Sequence, residues 1–345
     1  MNENTNIKQN MDKKKMLRIA AVVGKIALII AIYLIIAASV EFDILNRQFK
    51  SLIVLVGVNI ILAVSLNLVT GFLGELSLGH AGFMSIGAYT GALFTLNMNL
   101  PGQIEFLIAI ILGGIMAAIF GFLIGVPVLR LRGDYLAIVT LAFGEIVRSI
   151  INTLSFPAGR DQAGELIVKK GTMGLSGIET YANYTWVYFA AVITIIITAN
   201  LVKSRHGRVI TSIRDNYIAA ESIGIHVSKY KIMAFVIAAF FAGVAGVIGG
   251  HNISIIKPGD YDYNKSIDIL VFVVLGGMGS IRGSIIAATI LTLLPEVLRP
   301  IKDYRMLMYA VLLIAMMVFN HSNLKSKLQE NGKLSKLTDI LKFGK

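Results

Sequence analysis

Six stretches of this chain pass without a charged side chain: Ser51–Gly74, Leu76–Gln103, Phe106–Leu129, Thr180–Val202, Ile232–Ile256 and Met306–Leu324. A bilayer-spanning helix needs about 20 mostly apolar residues, because hydrocarbon offers no water and the chain must satisfy its own peptide groups. Each stretch is close to that length or beyond it. Only 15% of the 345 residues are charged, against about 25% in a soluble globular domain, and 56% are hydrophobic before 33 glycines are added. These runs imply an all-α polytopic membrane protein. An outer-membrane barrel would instead alternate polarity over segments of about 10 residues, a pattern absent from this sequence.

The net charge of +12 is concentrated in residues 1–18, 203–231 and 321–345, which flank hydrophobic segments. Lysine and arginine gather in cytoplasmic loops of membrane proteins, so the charge marks membrane orientation, and nucleic acid is not expected as a partner. The chain has no cysteine, which excludes disulfides and thiolate chemistry. Its histidines, His80, His206, His226, His251 and His321, include no i, i+4 pair for a helical metal site. No catalytic constellation emerges, and no enzyme activity is expected.

Walking the runs gives about ten spans. The first is Leu17–Val40, too long for the 7–15 residues of a signal-peptide core and read as a retained anchor. Then follow Phe49–Val69, Gly82–Asn97, a span ending at Val128, Asp134–Leu154, a span starting near Trp186, Lys231–Gly250, one beginning near Asp268, Gly283–Leu298 and Arg305–Asn320. Residues 1–16 form a basic N-terminal tail, 17–320 the transmembrane domain with a basic loop at 203–230, and 321–345 a basic C-terminal tail. An even count puts both termini on one side, and the charge distribution makes that side the cytoplasm. Arg299, Lys302 and Arg305 then fall in an outside turn, against the charge rule. Spans two to five and seven to ten each contain a glycine-broken element, at Gly71–Gly91 and Gly276–Gly283. Interrupted helices in inverted repeats are a common construction for alternating access, so the two blocks are candidate inverted repeats.

Small residues recur every fourth position in two spans: Gly113, Ala117, Gly121 and Gly125, then Ala238, Ala242, Gly246 and Gly250. Such ribs let helix backbones approach, which compensates for the missing hydrophobic drive in lipid.

Three stretches carry more than membrane insertion. Gly74 to Phe83 combines glycines with Ser77 and His80 in a charge-poor region, costly in hydrocarbon unless the groups face protein or water. It reads either as a cavity wall for a polar solute or as a satisfied histidine at the membrane boundary. Within Arg132–Arg148, Glu145 and Arg148 stand i, i+3 and can neutralise each other, as a structural pair or a proton-relay element. In the basic loop, Arg214 to Ile225 includes Ala219, Ala220 and Gly224, a short helix with a glycine end signal. It can dock in a partner's groove or lie on anionic lipid.

These three stretches, together with Ala234–Phe235 to Gly246 and Gly276-Gly277-Met278-Gly279-Ser280, resemble permease subunits of the branched-chain amino-acid ABC importer family, its LivM-like branch, over roughly residues 50–320. The resemblance implies that the Ala-Ala-x-x-x-Gly loop is the coupling helix docking on an ATPase, which places that role on Arg214, Ala219, Ala220 and Gly224. The family's glutamate two residues before the alanines is Tyr217 here. It also implies a second homologous permease subunit, two ATP-binding subunits carrying ATP and Mg, an extracytoplasmic substrate-binding protein, and a place in the bacterial plasma membrane. This chain has no phosphate-binding loop, since Gly24-Lys25 is followed by Ile26, so no cofactor is expected on it. The expected cargo is leucine, isoleucine or valine along a largely apolar path. No span offers an unpaired Arg–Asp couple to clamp an amino-acid head group, so weak contacts from Asn59, Asn67, Ser77, His80 and Thr140 are expected instead. The alternatives are a urea or short-amide importer permease and, from another class, a secondary transporter coupled to protons or sodium. The latter needs unpaired intramembrane acids, for which Glu145, Asp268 and Glu296 are the candidates.

Overall fold

The computed structural model describes residues 30–41, 46–98, 101–129, 133–160 and 166–299, with isolated positions at 24, 27, 131, 307, 308, 310, 311 and 314. The two tails, most of the first and tenth expected spans, Arg130 and Arg132 lie outside the described residues.

The apolar segments become helices: α1 (Ile30–Glu41), α2 (Arg47–Asn67), α3 (His80–Asn97), α4 (Gly102–Val128), α5 (Asp134–Thr153), α6 (Tyr184–Lys203), α9 (Val227–Ile253), α10 (Tyr263–Gly276) and α11 (Ile281–Val297). The basic loop supplies the short helices α7 (Arg205–Asp215) and α8 (Tyr217–Ser222). Among the described residues, five helices are long and apolar enough to cross a membrane: α2 with its extension, α4, α5, α6 and α9. The polar segment after α5 contains an antiparallel hairpin, β1 (Ser155–Arg160) and β2 (Leu166–Lys170), and β3 (Leu175–Ser176) pairs with β4 (Ile255–Ile256).

The 27 residues of α9 rise about 40 Å, which separates the helices before it from the strand after it. One extremity therefore carries α7 and α8 and is called the basic end. The other carries the strands and is called the hairpin end. α4 and α6 both start there, tied by Trp186 Nε1 donating to Gln103 Oε1 at 2.8 Å.

The packing centre is α3, α4 and α9. Gly113 and Gly121 of α4 press on Val247 and Ala239 of α9, where any Cβ would collide. Gly246 of α9 faces Met84 and Ala88 of α3, and Gly87 of α3 faces Gly243. The rib on α4 thus meets α9 through its Ala239, Gly243 and Val247 face, whereas Gly246 and Gly250 of the α9 rib turn toward α3. Two neighbours explain the small residues on α9, one on each side.

One boundary differs from the sequence expectation with consequence. The eighth span begins at Tyr263, not near Asp268, because Asp262 accepts from the Lys265 N–H at 3.1 Å and caps the helix there. Asp268 consequently sits inside α10. With 14 residues, α10 rises about 21 Å and does not cross the bilayer by itself. The stretch before it, with a 3₁₀ turn at Pro258–Tyr261, is held against α3 by Tyr89, whose hydroxyl donates to the Ile256 carbonyl and whose ring meets Tyr261 edge-on.

Candidate functional site

The two glycine-broken elements meet. After Asn67, α2 continues as a π-helical turn, Leu68–Leu73, and ends at Gly74 with φ +80°. A π turn inside a helix frees backbone groups and often marks a working site. On the other element, α10 ends at Gly276, Gly277 and Gly279 take φ +89° and +79°, and Ser280 caps α11 by accepting from the Gly283 N–H at 3.1 Å. Gly71 and Gly279 lie so close that a Cβ on Gly71 would strike the Gly279 nitrogen. Asn67 joins them: its Oδ1 accepts from the Gly279 N–H at 2.9 Å and its Nδ2 donates to Ser284 Oγ at 3.0 Å.

The Asn67–Ser284 bond is one rung of a ladder along the antiparallel α2–α11 contact. Asn59 Nδ2 donates to Thr292 Oγ1 at 2.9 Å and Gln48 Nε2 to Glu296 Oε1 at 2.7 Å. Interhelical hydrogen bonds of this kind are worth about 0.6 kcal/mol each on average, enough to fix register without locking it.

The basic loop reaches into the same junction. Arg214, in the last turn of α7, donates from Nη1 to the Gly71 carbonyl at 3.1 Å and lays its stem on Gly74, where a side chain would collide. Its Nε and Nη2 donate to Asp215 Oδ1 at 3.1 and 3.0 Å, which fixes the guanidinium. One residue beyond Gly74, Glu75 forms a buried ion pair with Lys231 in the first turns of α9. The junction of the two breaks is thereby bound to α7 and to α9.

α8 follows directly. Asn216 Oδ1 accepts from the Ala219 N–H at 3.1 Å to start it, and Gly224, φ +87°, ends it while the Ile225 N–H returns to the Ala220 carbonyl at 3.1 Å. Ala220 is buried against the bundle, whereas Ala219 is exposed beside Ile218 (63%) and Ile223 (76%). A short helix seated by Ala220 and Tyr217 thus exposes the apolar side chains of Ile218 and Ile223 at the basic end. Among the described residues no group of histidines and acids could hold a metal.

The remaining candidates are buried, each at most 4% exposed: Asn59, Asn67, Ser77, His80 and Thr140. His80 Nε2 meets Ser65 Oγ at 2.9 Å. Thr140 Oγ1 accepts from the Leu78 N–H at 3.0 Å and donates to the Ala137 carbonyl, so it pins the non-helical link between α2 and α3 onto α5. The Glu145–Arg148 pair forms at 2.6 Å, and Glu145 Oε1 also accepts from the Tyr263 N–H at 3.1 Å. Glu296 is likewise paired, with Arg299. The partners Ser266, which accepts from the Ala81 N–H at the start of α3, Ser284, Thr292, Glu75 and Lys231 escaped the sequence reading. Each lies on a different element from the group it serves, and no local pattern announces it.

A bundle of long apolar helices, broken at two glycine-rich sites that touch, with a capped helix offered at the basic end, has the build of an all-α polytopic membrane protein. Residues 48–319 match the family described as the permease component of branched-chain amino acid transport systems, and the chain belongs to that family. It is 35% identical over 302 residues to the high-affinity branched-chain amino acid transport system permease protein LivM of Escherichia coli, covering 81% of this chain and 70% of that protein. The LivM protein of Salmonella typhimurium is 36% identical over 288 residues, 77% of this chain and 67% of its own. More distant is the ribose import permease RbsC of Escherichia coli, 28% identical over 307 residues, 86% of this chain and 92% of its own. No solved structure matches.

Proposed function

We propose that this chain is the membrane-spanning subunit of an ATP-driven importer for leucine, isoleucine and valine. It works with a second, homologous permease subunit, two ATPase subunits that carry ATP and Mg, and an extracytoplasmic binding protein. In this reading α10 crosses together with the stretch before it, the chain spans ten times with both termini in the cytoplasm, and the basic end faces inside while the hairpin end faces the binding protein. The two LivM relatives support the cargo. The observation that carries the mechanism is Arg214: one side chain at the root of α8 holds the carbonyl of Gly71, where the two helix breaks meet. An ATPase moving α8 pulls on that junction.

In this reading Arg214, Ala219, Ala220 and Gly224 form the coupling element. Ala220 seats α8, Ala219 faces the ATPase with Ile218 and Ile223, and Gly224 sets the exit direction. Asn59, Asn67, Ser77, His80 and Thr140 belong to the wall of the path, and the internal bonds of Asn59, Asn67, His80 and Thr140 keep contacts with the solute weak enough for release. Uptake of radiolabelled leucine and urea by the reconstituted complex tests the cargo. Leucine uptake is expected, and robust urea uptake without competition from leucine overturns the reading.

A further inference from the structure

Asp268 is the one acid among Glu145, Asp268 and Glu296 for which the described residues supply no ion pair or hydrogen bond. It is exposed on the surface of the chain. Its depth follows from its neighbour one turn back. Lys265 Nζ donates to Asn59 Oδ1 at 3.3 Å, and Asn59 lies 12 residues into α2, about 18 Å from the hairpin-end terminus of a helix that with its π turn measures about 40 Å. Lys265 is thus near mid-depth, and Asp268 is one further turn toward the basic end. An ionised side chain at that level faces water or protein, not lipid.

Lys265 and Asp268 are i, i+3 on one face, with Cβ atoms about 5–6 Å apart, yet they do not close into an ion pair. A bridged pair would be a structural element like Glu145–Arg148. An open pair offers one cation and one anion to a third party. Asn59 accepts from the lysine and donates to Thr292, so the ammonium is positioned by α2 and, through it, by α11. Ile267, 40% exposed, adjoins Asp268 on the same helix and supplies apolar surface.

We propose that Lys265 and Asp268 form a mid-membrane station for the head group of the transported α-amino acid, Lys265 receiving the α-carboxylate and Asp268 the α-ammonium. The inference rests on the amino-acid reading above and deepens it. The couple is hidden in the sequence because its cation is a lysine and because Asp268 reads as the edge of a span. The cap at Asp262 moves it inside.

The test uses the complete complex in proteoliposomes. For Asp268→Asn, leucine uptake at saturating loaded binding protein is expected to fall about tenfold, while stimulated ATP hydrolysis stays within about twofold, since the interaction is lost at the solute and not at the ATPase. Asp268→Glu is expected to keep most of the uptake. In this cysteine-free chain, Asp268→Cys is expected to react with a cationic water-soluble thiol reagent and to be protected during leucine transport. Ile119→Cys, on the exposed apolar stripe of α4, is expected to stay unreactive. Leucine uptake per ATP unchanged in Asp268→Asn overturns the station. So does a cysteine at 268 as inert as the one at 119, or failure of Asp268→Asn to assemble with the second permease subunit, which would make Asp268 an interface residue. A wild-type complex that carries urea and not leucine refutes the amino-acid reading itself, a result distinct from leucine uptake that ignores Asp268.

Discussion

Replacing Lys231 by methionine tests whether the two helix breaks are bound to α9 by a charge pair. The Lys231 and Glu75 side chains are only 7% and 13% exposed, so solvent screens their attraction little. Removing one member of such a pair leaves the other buried without compensation, at a cost of about 3–5 kcal/mol. Removing both, as in Glu75→Gln with Lys231→Met, deletes the desolvation cost together with the attraction and is expected to be close to neutral. The single variants are therefore expected to unfold at clearly lower temperature than the double, which recovers at least about 2 kcal/mol, some thirtyfold in the folding equilibrium. Thermal unfolding in detergent, followed by the fluorescence of the single tryptophan, Trp186, reads this directly. Additivity of the two substitutions to within about 0.5 kcal/mol would refute the pair as the element that joins the α2–α3 link to α9.

Gly224→Val is expected to cut binding-protein-stimulated ATP hydrolysis while insertion and assembly persist. No atom lies within 4 Å of the position a Cβ would take, so the effect is the cost of a β-branched residue at φ +87°, about 1–2 kcal/mol, and wild-type stimulation in an assembled variant would separate α8 from coupling. Thr140→Val removes the acceptor of the Leu78 N–H and is expected to lower the thermal midpoint by the equivalent of about 1 kcal/mol; reduced uptake with an unmoved midpoint would mark Thr140 as a solute contact instead. Single cysteines at Ser222 and Glu179, both exposed, are expected to label from opposite sides of the membrane, and labelling of both from outside would contradict the ten-span topology.

What the sequence made legible was mostly one-dimensional. Charge-free runs located α2, α4, α6 and α9 because hydrocarbon enforces length and composition within one segment. The i, i+3 spacing of Glu145 and Arg148 and the glycine after α8 were readable for the same reason, since both are local geometry. The meeting of Gly71 with Gly279 was not, nor was Glu75 with Lys231, because the azimuth of a nearly uniform apolar helix leaves no periodic trace. The rib on α9 shows the limit well. Spacing announced close packing, but only coordinates reveal that Gly246 turns toward α3 while Gly243 meets both α3 and α4. The start of α10 is hidden in the sequence because Asp262 and Asn264 have loop-residue character, and only the cap that Asp262 makes on the Lys265 N–H carries the helix back to Tyr263.

The backbone-to-backbone contact of α3, α4 and α9 also fixes where measurements should be anchored. Where glycine faces glycine, no side-chain layer lies between the helices to repack, and interiors this close transmit strain rather than absorb it. The trio is the natural frame of reference of the molecule. Spectroscopic probes on the outer face of α4, at Ile111, Ile115 or Phe122, ride on that frame without entering it. Distances from them to probes on α8, α10 or α11 will report the travel of those elements alone, in the way a surveyor reads displacement from a fixed benchmark.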